Sequence, residues 1–188
     1  MEVKLINEPT LEFVDLAIGK CYDMGAYFPD EDKACIRINK VTNVYKHSSV
    51  LEFAEYVFEI TASTKVLLEM TRHRIASYAC KSSRYTLDRG EVVFEATGDP
   101  EIDYELSKWK VTIEKMIKDG KKNDVVSLML PQAYQYKWVM KINARALHNF
   151  FELRLSRTAH SHIRDIANDM WELIPKEHKF LFAQNHQR

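Results

Sequence analysis

The sequence is poor in residues that break or staple a chain: five glycines, five prolines and three cysteines among 188 residues. It has no Pro/Gly/Ser-rich linker, repeat or low-complexity tract, so one uninterrupted helix-rich domain over residues 1–188 is expected. Cys21, Cys35 and Cys80 are odd in number, widely spaced and outside any CxxC or His-bearing zinc pattern. That argues against a disulfide framework and a structural metal, and leaves free thiols. The longest apolar runs, such as LHNFFEL near residue 150, fall far short of the roughly 20 residues a membrane span requires. The opening MEVKLINEPTLEF lacks the charged, apolar, small-residue order of a secretory signal, so a cytoplasmic protein without a membrane partner is expected. Neither sign of charge is in excess, with Lys plus Arg and Asp plus Glu both counting 27. General attraction to nucleic acid is therefore not expected, and any anion site must be local.

What is present is a 46% hydrophobic chain, enough for a sizeable core. A strand-like VKLI precedes a helix from Thr10 to Met24, with Leu11, Val14, Ala17, Ile18 and Cys21 at helical spacing and Thr10 as its cap. Residues 31–43 read as a shorter helix. In FAEYVFEITA, Ala54, Tyr56, Phe58 and Ile60 share one face at period two, the pattern of a half-buried strand, and Ser63 or Thr64 then caps a helix running into Arg72. EVVFEATG is a second strand candidate ended by Gly98. Helices are expected at 101–119, 133–153 and 158–173, punctuated by Pro131 and Pro175. Trp138, Ile142, Leu147, Phe150, Phe151, Ile163, Ile166, Met170 and Leu173 form their core faces.

The chemistry concentrates in TRHRIASYACKSSRYTL, residues 71–87. Consecutive helical residues point about 100° apart, so Arg72, His73 and Arg74 converge on one anion only if the helix ends there. They then suit a ligand with several acceptors, such as a diphosphate, which guanidinium forks bind bidentately. Ser82, Ser83 and Arg84 add hydroxyls and another guanidinium, a set suited to a monophosphate. Taken alone, RHR also reads as a solvated basic patch, and the serines as ordinary turn residues.

Arg72-His73-Arg74, seven intervening residues and Ser82 resemble the RHR-x7-S signature of the flavin-dependent thymidylate synthases. The resemblance continues through Arg84-Tyr85, HSSVLEF at 47–53, LP at 130–131 and NARALHNFFELR at 143–154, and covers most of the chain from His47 to Arg164. It implies a homotetramer with intersubunit active sites that bind FAD, deoxyuridine monophosphate and methylenetetrahydrofolate, with NADPH reducing the flavin. The one-carbon unit is joined to uracil C5 and reduced by flavin hydride. By position, Arg72, His73, Arg74, Ser49, Asn143, Arg145 and Asn149 would contact FAD, with His47 near flavin or folate. Ser82, Ser83 and Arg84 would hold the nucleotide, with Arg72 beside it, and Arg154 would face the pyrimidine. A guanidinium there stabilises negative charge on N3 and O4 as C5 becomes nucleophilic, without a proton transfer. On residues alone, Arg154 reads rather as a surface ion pair with Glu152 or Asp165. Asn143 and Asn149, six apart on an expected helix, would flank a ligand rather than share one contact line.

The pattern departs at the substrate side. Ala79-Cys80 stands where the family has Asn-Glu, Glu69 where it has Gln, Ser127 where it has Arg, and Val50 and Phe53 where it has Pro and His. Glu69 and Ser127 together move the expected nucleotide pocket about two charge units toward negative, and one unit charge at 4 Å is worth roughly 4 kcal/mol at an effective dielectric near 20. Lys81 or Lys137 would restore the balance, or Glu69 would pair with Arg72. Cys80 is either a small packed hydrophobe or a nucleophile of lowered pKa that adds to pyrimidine C6. These departures leave open a substrate such as deoxycytidylate or a hydroxymethyl product. A different reading makes the arginines a basic stripe of a non-catalytic nucleotide-binding module, which zero net charge opposes. The expected fold is α+β, helices packed around a small, mainly antiparallel sheet.

Overall fold

The computed structural model describes residues 1–23 and 31–186, with the side chains of Glu31 and of residues 183–186 left aside. Four strands, β1 (Glu2–Asn7), β2 (Glu55–Ser63), β3 (Ala76–Cys80) and β4 (Gln135–Asn143), form one small antiparallel sheet in the order β1-β2-β4-β3. The helices are α1 (Glu12–Cys21), α2 (Glu31–Asn39), α3 (Thr64–Met70), α4 (Ser83–Thr86), α5 (Pro100–Lys118), α6 (Asn123–Val126), α7 (Ala144–Arg154) and α8 (Ser161–Leu173). The α+β class expected from the sequence is the one observed. None of the helices among the described residues is long and apolar enough to cross a membrane.

The chain divides into two compact units. The first comprises Met1–Glu2, Ile60–Arg72 and Tyr78–Val139; the second comprises Val3–Glu59, His73–Ser77 and Met140–Arg188. In the first, Leu87, Val92, Ile113, Val126 and Tyr134 form a buried cluster. The entry to α3 is built there: Ser63 N donates to the buried Glu95 carboxylate at 2.7 Å, Thr64 N to Tyr134 O at 2.8 Å and Lys65 N to Gln132 O at 3.1 Å. These acceptors satisfy the amides that open a helix, so the expected side-chain cap at Ser63 is absent, and Thr64 Oγ1 donates to Tyr134 O instead.

In the second unit the core is aromatic. Phe151 meets Phe182 and Trp171 edge-on at 5.4 Å, and Tyr56 lies 6.1 Å from Phe182. Buried Asp15 of α1 receives both Nε and Nη2 of Arg37 of α2, the Nε bond at 2.6 Å. Tyr56 Oη and His178 Nδ1 are 3.0 Å apart. Burial holds the His178 pKa below its ordinary value against the opposing pull of Glu8 and Glu177.

Several expectations are corrected. Leu11, not Thr10, precedes the first turn of α1, and Met24 lies outside the described residues. The helix expected at 133–153 is strand up to Asn143, because Trp138 and Ile142 are linked by buried Met140 and alternate with exposed Lys137, Val139 and Lys141. Spacing of four fits both periods, and Met140 decides between them. EVVFEATG makes only an isolated bridge, Phe94 to Tyr134, since Glu95 turns inward to α3. Leu173 is exposed rather than core.

Removing Arg37 strands a buried carboxylate. Arg37→Ala is expected to lower unfolding free energy by about 3 kcal/mol, read as an earlier urea midpoint, while Asp15→Leu/Arg37→Met recovers most of it. His178 stays neutral in the fold but takes a proton near pH 6.5 when unfolded. Its stabilisation is complete above that pH and is lost as pH falls through the lower folded pKa. Melting temperature should therefore drop more steeply below about pH 6.5 in the parent than in His178→Gln.

Candidate active site

Helix α7 organises the second unit's share of the expected site residues. Asn143 precedes it and caps it, its Oδ1 accepting from Ala146 N at 2.9 Å, which fixes where the helix starts. Its side chain thus serves a helix terminus rather than a helix interior. Phe150 and Arg154 are one turn apart and share a face. His73 packs edge-on against Phe150, ring centroids 4.9 Å apart, and accepts a hydrogen bond from Arg154 Nε at 3.0 Å. His73 and Arg154 are half-buried, and Arg74 is exposed.

Arg145 pairs with Glu52 at 2.6 Å, and Asn149 is exposed. Arg145, His148, Lys46, Ser48, Leu51 and Leu181 line a pocket of about 280 Å³. Burial lowers the His148 pKa, Lys46 adds to that, and Glu152 opposes it. Half-buried His47 meets Tyr22 edge-on at 6.2 Å. Ser49 is exposed and, with Phe13, Leu16, Val50 and Phe53, borders an apolar groove of about 480 Å³. Val50 and Phe53, two of the departures from the family pattern, thus belong to this groove.

In the first unit, α3 stops at Met70, whose carbonyl accepts from Tyr78 Oη at 2.6 Å. Arg72 therefore lies beyond the helix, exposed, as the reading of the RHR segment requires. Glu69 pairs with Lys65 at 3.7 Å. Ser82 precedes α4 and Ser83 begins it. Arg84 Nε meets Asp124 Oδ1 at 3.0 Å, and its guanidinium lies 5.2 Å from the centre of the Tyr85 ring. Ser127 Oγ donates to Asp124 O at 3.0 Å. Cys80 is an exposed residue whose Sγ donates to Lys81 O at 3.5 Å. Partial sheltering of the sulfur pushes its pKa up. Its exposure corrects the reading of Cys80 as a packed hydrophobe, and the upward shift runs against the lowered pKa that the nucleophile reading expects.

Sequence reasoning missed Asp124, Tyr78 and Glu95. Asp124 is three residues before Ser127 on a helical segment, a spacing that signals a shared turn. Nothing local marks Tyr78 or Glu95, whose partners are eight and 32 residues away. Among the described residues, no group of three or more His, Cys, Asp or Glu is placed to hold a metal.

Among the described residues neither Arg72 nor Arg74 makes an ion pair, and both guanidinia are exposed. In the second unit the Ser49 hydroxyl and the Asn149 amide are exposed as well; guanidinium forks, hydroxyls and amides are the groups that phosphate and heterocycle edges need.

The chain is 32% identical over 200 aligned residues to the flavin-dependent thymidylate synthase of Campylobacter jejuni, covering 97% of this chain and 96% of that protein. It is 35% identical over 206 residues to that of Wolinella succinogenes, covering 100% of both. Its fold matches the crystal structure of the flavin-dependent thymidylate synthase ThyX from Helicobacter pylori complexed with FAD and dUMP. That match has a TM-score of 0.89 at 30% identity and covers 98% of this chain and 99% of the other. The family model described as thymidylate synthase complementing protein, Thy1, matches residues 14–178, and this chain is a member of that family.

Proposed function

We propose that this chain is a flavin-dependent thymidylate synthase, converting dUMP to dTMP with methylenetetrahydrofolate as one-carbon donor and NADPH as reductant. The observation that carries this reading is the seating of Arg154 against His73, in the segment freed by the end of α3. Arg72, Arg74, Ser49, Arg145 and Asn149 are the residues that would hold FAD, with Asn143 fixing the start of their helix and His47 near flavin or folate. When bound, FAD supplies the hydride that completes the methyl group. Ser82, Ser83 and Arg84 would take the nucleotide phosphate, which would replace Asp124 as the partner of Arg84. Glu69, Cys80 and Ser127 complete the substrate side.

Arg154 has a narrow task. As uracil C5 becomes nucleophilic, negative charge accumulates on N3 and O4, and a fixed guanidinium stabilises it without giving up a proton. Half-burial of Arg154 strengthens this, since the charge is less screened than on an open surface. Exposed apolar side chains, among them Phe13, Phe53, Tyr104 and Leu128, support assembly into the homotetramer, where subunits complete each other's sites. A cytoplasmic location fits these substrates.

The purified protein should be yellow. With dUMP, methylenetetrahydrofolate and NADPH it should form dTMP and release tritium from C5-labelled dUMP. Arg154→Ala should lower kcat by about 10²- to 10³-fold while flavin content stays at the parent level. A colourless protein that refuses added FAD, or one that turns over dCMP in place of dUMP, would overturn this assignment. Cys80 is read as a substrate-side residue rather than a nucleophile, since partial sheltering pushes its thiol pKa up. Intact-mass spectrometry of samples quenched during turnover should show no protein–nucleotide adduct.

A further inference from the structure

We infer that His73 is a positioning residue for Arg154: its neutral imidazole accepts the Arg154 Nε–H and so fixes the guanidinium that faces the pyrimidine. This deepens the thymidylate synthase reading and rests on its assignment of Arg154. The donor in the 3.0 Å contact is a guanidinium N–H, which cannot accept, so His73 Nε2 must carry its lone pair. The ring is therefore neutral, with its proton on Nδ1. A protonated ring would set N–H against N–H.

Three features make this an oriented pair rather than a chance approach. Phe150, 0% exposed, presents the T-shaped partner against which the ring of His73 is packed. Phe150 and Arg154 occupy successive turns of α7, so one helix face sets both the wall for the imidazole and the donor it receives. The bond also uses Nε–H, the donor at the stem of the guanidinium. Holding a long side chain there restricts its rotation and sets the direction of the paired Nη edge, the edge that suits a carbonyl oxygen beside a ring nitrogen. An arginine held in advance loses less entropy when charge develops on the substrate.

Two substitutions separate the acceptor from the ring. His73→Gln keeps an acceptor oxygen at the reach of Nε2 but loses the aromatic edge. His73→Phe keeps an aromatic edge against Phe150 but cannot accept; His73→Leu takes its place if phenylalanine prevents folding. The expected result is that His73→Phe lowers kcat about 10- to 100-fold, the loss typical of removing an orienting partner. Its KM for dUMP and its flavin per protomer should stay within about threefold of the parent, and His73→Gln should retain kcat within about fivefold. In an Arg154→Ala background, His73→Phe should cost less than about twofold more, because the two residues act as a unit. Crystal structures of the variants give a readout free of activity: the guanidinium keeps its place in His73→Gln and leaves it in His73→Phe. Equal losses in both variants, full additivity with Arg154→Ala, or an unmoved guanidinium in His73→Phe would overturn the inference. Loss of flavin in His73→Phe would assign the ring to holding the cofactor instead. A parent protein that makes no dTMP refutes the thymidylate synthase reading, while the guanidinium's position in the variants still decides whether His73 orients it.

Discussion

The abrupt end of α3 is the constraint on which the site depends. The helix is seven residues long, and both its ends are held by groups outside it. Glu95 and the carbonyls of Gln132 and Tyr134 take the amides at Ser63, Thr64 and Lys65, and Tyr78 Oη takes the Met70 carbonyl. A helix pinned in this way cannot slide or extend without leaving buried polar groups unpaired, each at a cost of about 1–3 kcal/mol. One further turn would carry Arg72, His73 and Arg74 to bearings about 100° apart. Stopping at Met70 instead places these three side chains in the turn and irregular chain between α3 and β3, free of the helical bearing. There the imidazole of His73 is half-buried, while Arg72 and Arg74 on either side of it are exposed.

Helix α7 makes the complementary contribution within the second unit. Its apolar stripe, Ala144, Leu147, Phe150 and Phe151, is buried, and Phe151 is surrounded by Trp171 and Phe182. That burial fixes the rotation of the helix about its axis, and with it the bearing of every polar side chain it carries. Arg154 points where it does because Phe150, one turn earlier, is in the core. The core and the site are therefore not separate achievements of the sequence: the residues that stabilise the unit by removing apolar area from water also aim the guanidinium.

Much of this was legible in the residues, and the failures share a cause. The alternation of Tyr56, Phe58 and Ile60 identified β2, and Pro100 behind Asp99 marks the start of α5, whose Asp99 carboxylate caps Glu101 and Ile102. Both are local signals, complete within one or two turns of chain. The RHR spacing likewise exposed the need for the helix to end. What escaped was set by distant partners. Strand β4 was hidden behind the four-residue spacing of Trp138 and Ile142, and β3 is too short to show alternation against its polar residues. The inward turn of Glu95 exists only because Ser63 N lies opposite it. No periodicity encodes a carboxylate meeting an amide 32 positions earlier, so the segment read as an ordinary strand.

The charge balance of the first unit bears on the departures from the family pattern. Glu69 introduces a carboxylate and Ser127 removes a cation, yet Glu69 is already paired with Lys65 at 3.7 Å. A neutralised pair exerts a dipolar field that falls off faster than that of a lone charge, so Glu69 weighs less against an incoming phosphate than its formal charge implies. Asp124 is the more consequential carboxylate, since it lies 3.0 Å from Arg84. That pair is exposed at both ends, where water and salt weaken it to roughly 0–1 kcal/mol. A dianionic phosphate offers Arg84 twice the charge and a bidentate geometry, and exchange of one partner for the other costs little. Lys81, whose ammonium lies beside Gly90, is a cation that neither carboxylate cancels. The Ser127 hydroxyl, bonded to the Asp124 carbonyl, holds the turn that sets Asp124 against Arg84.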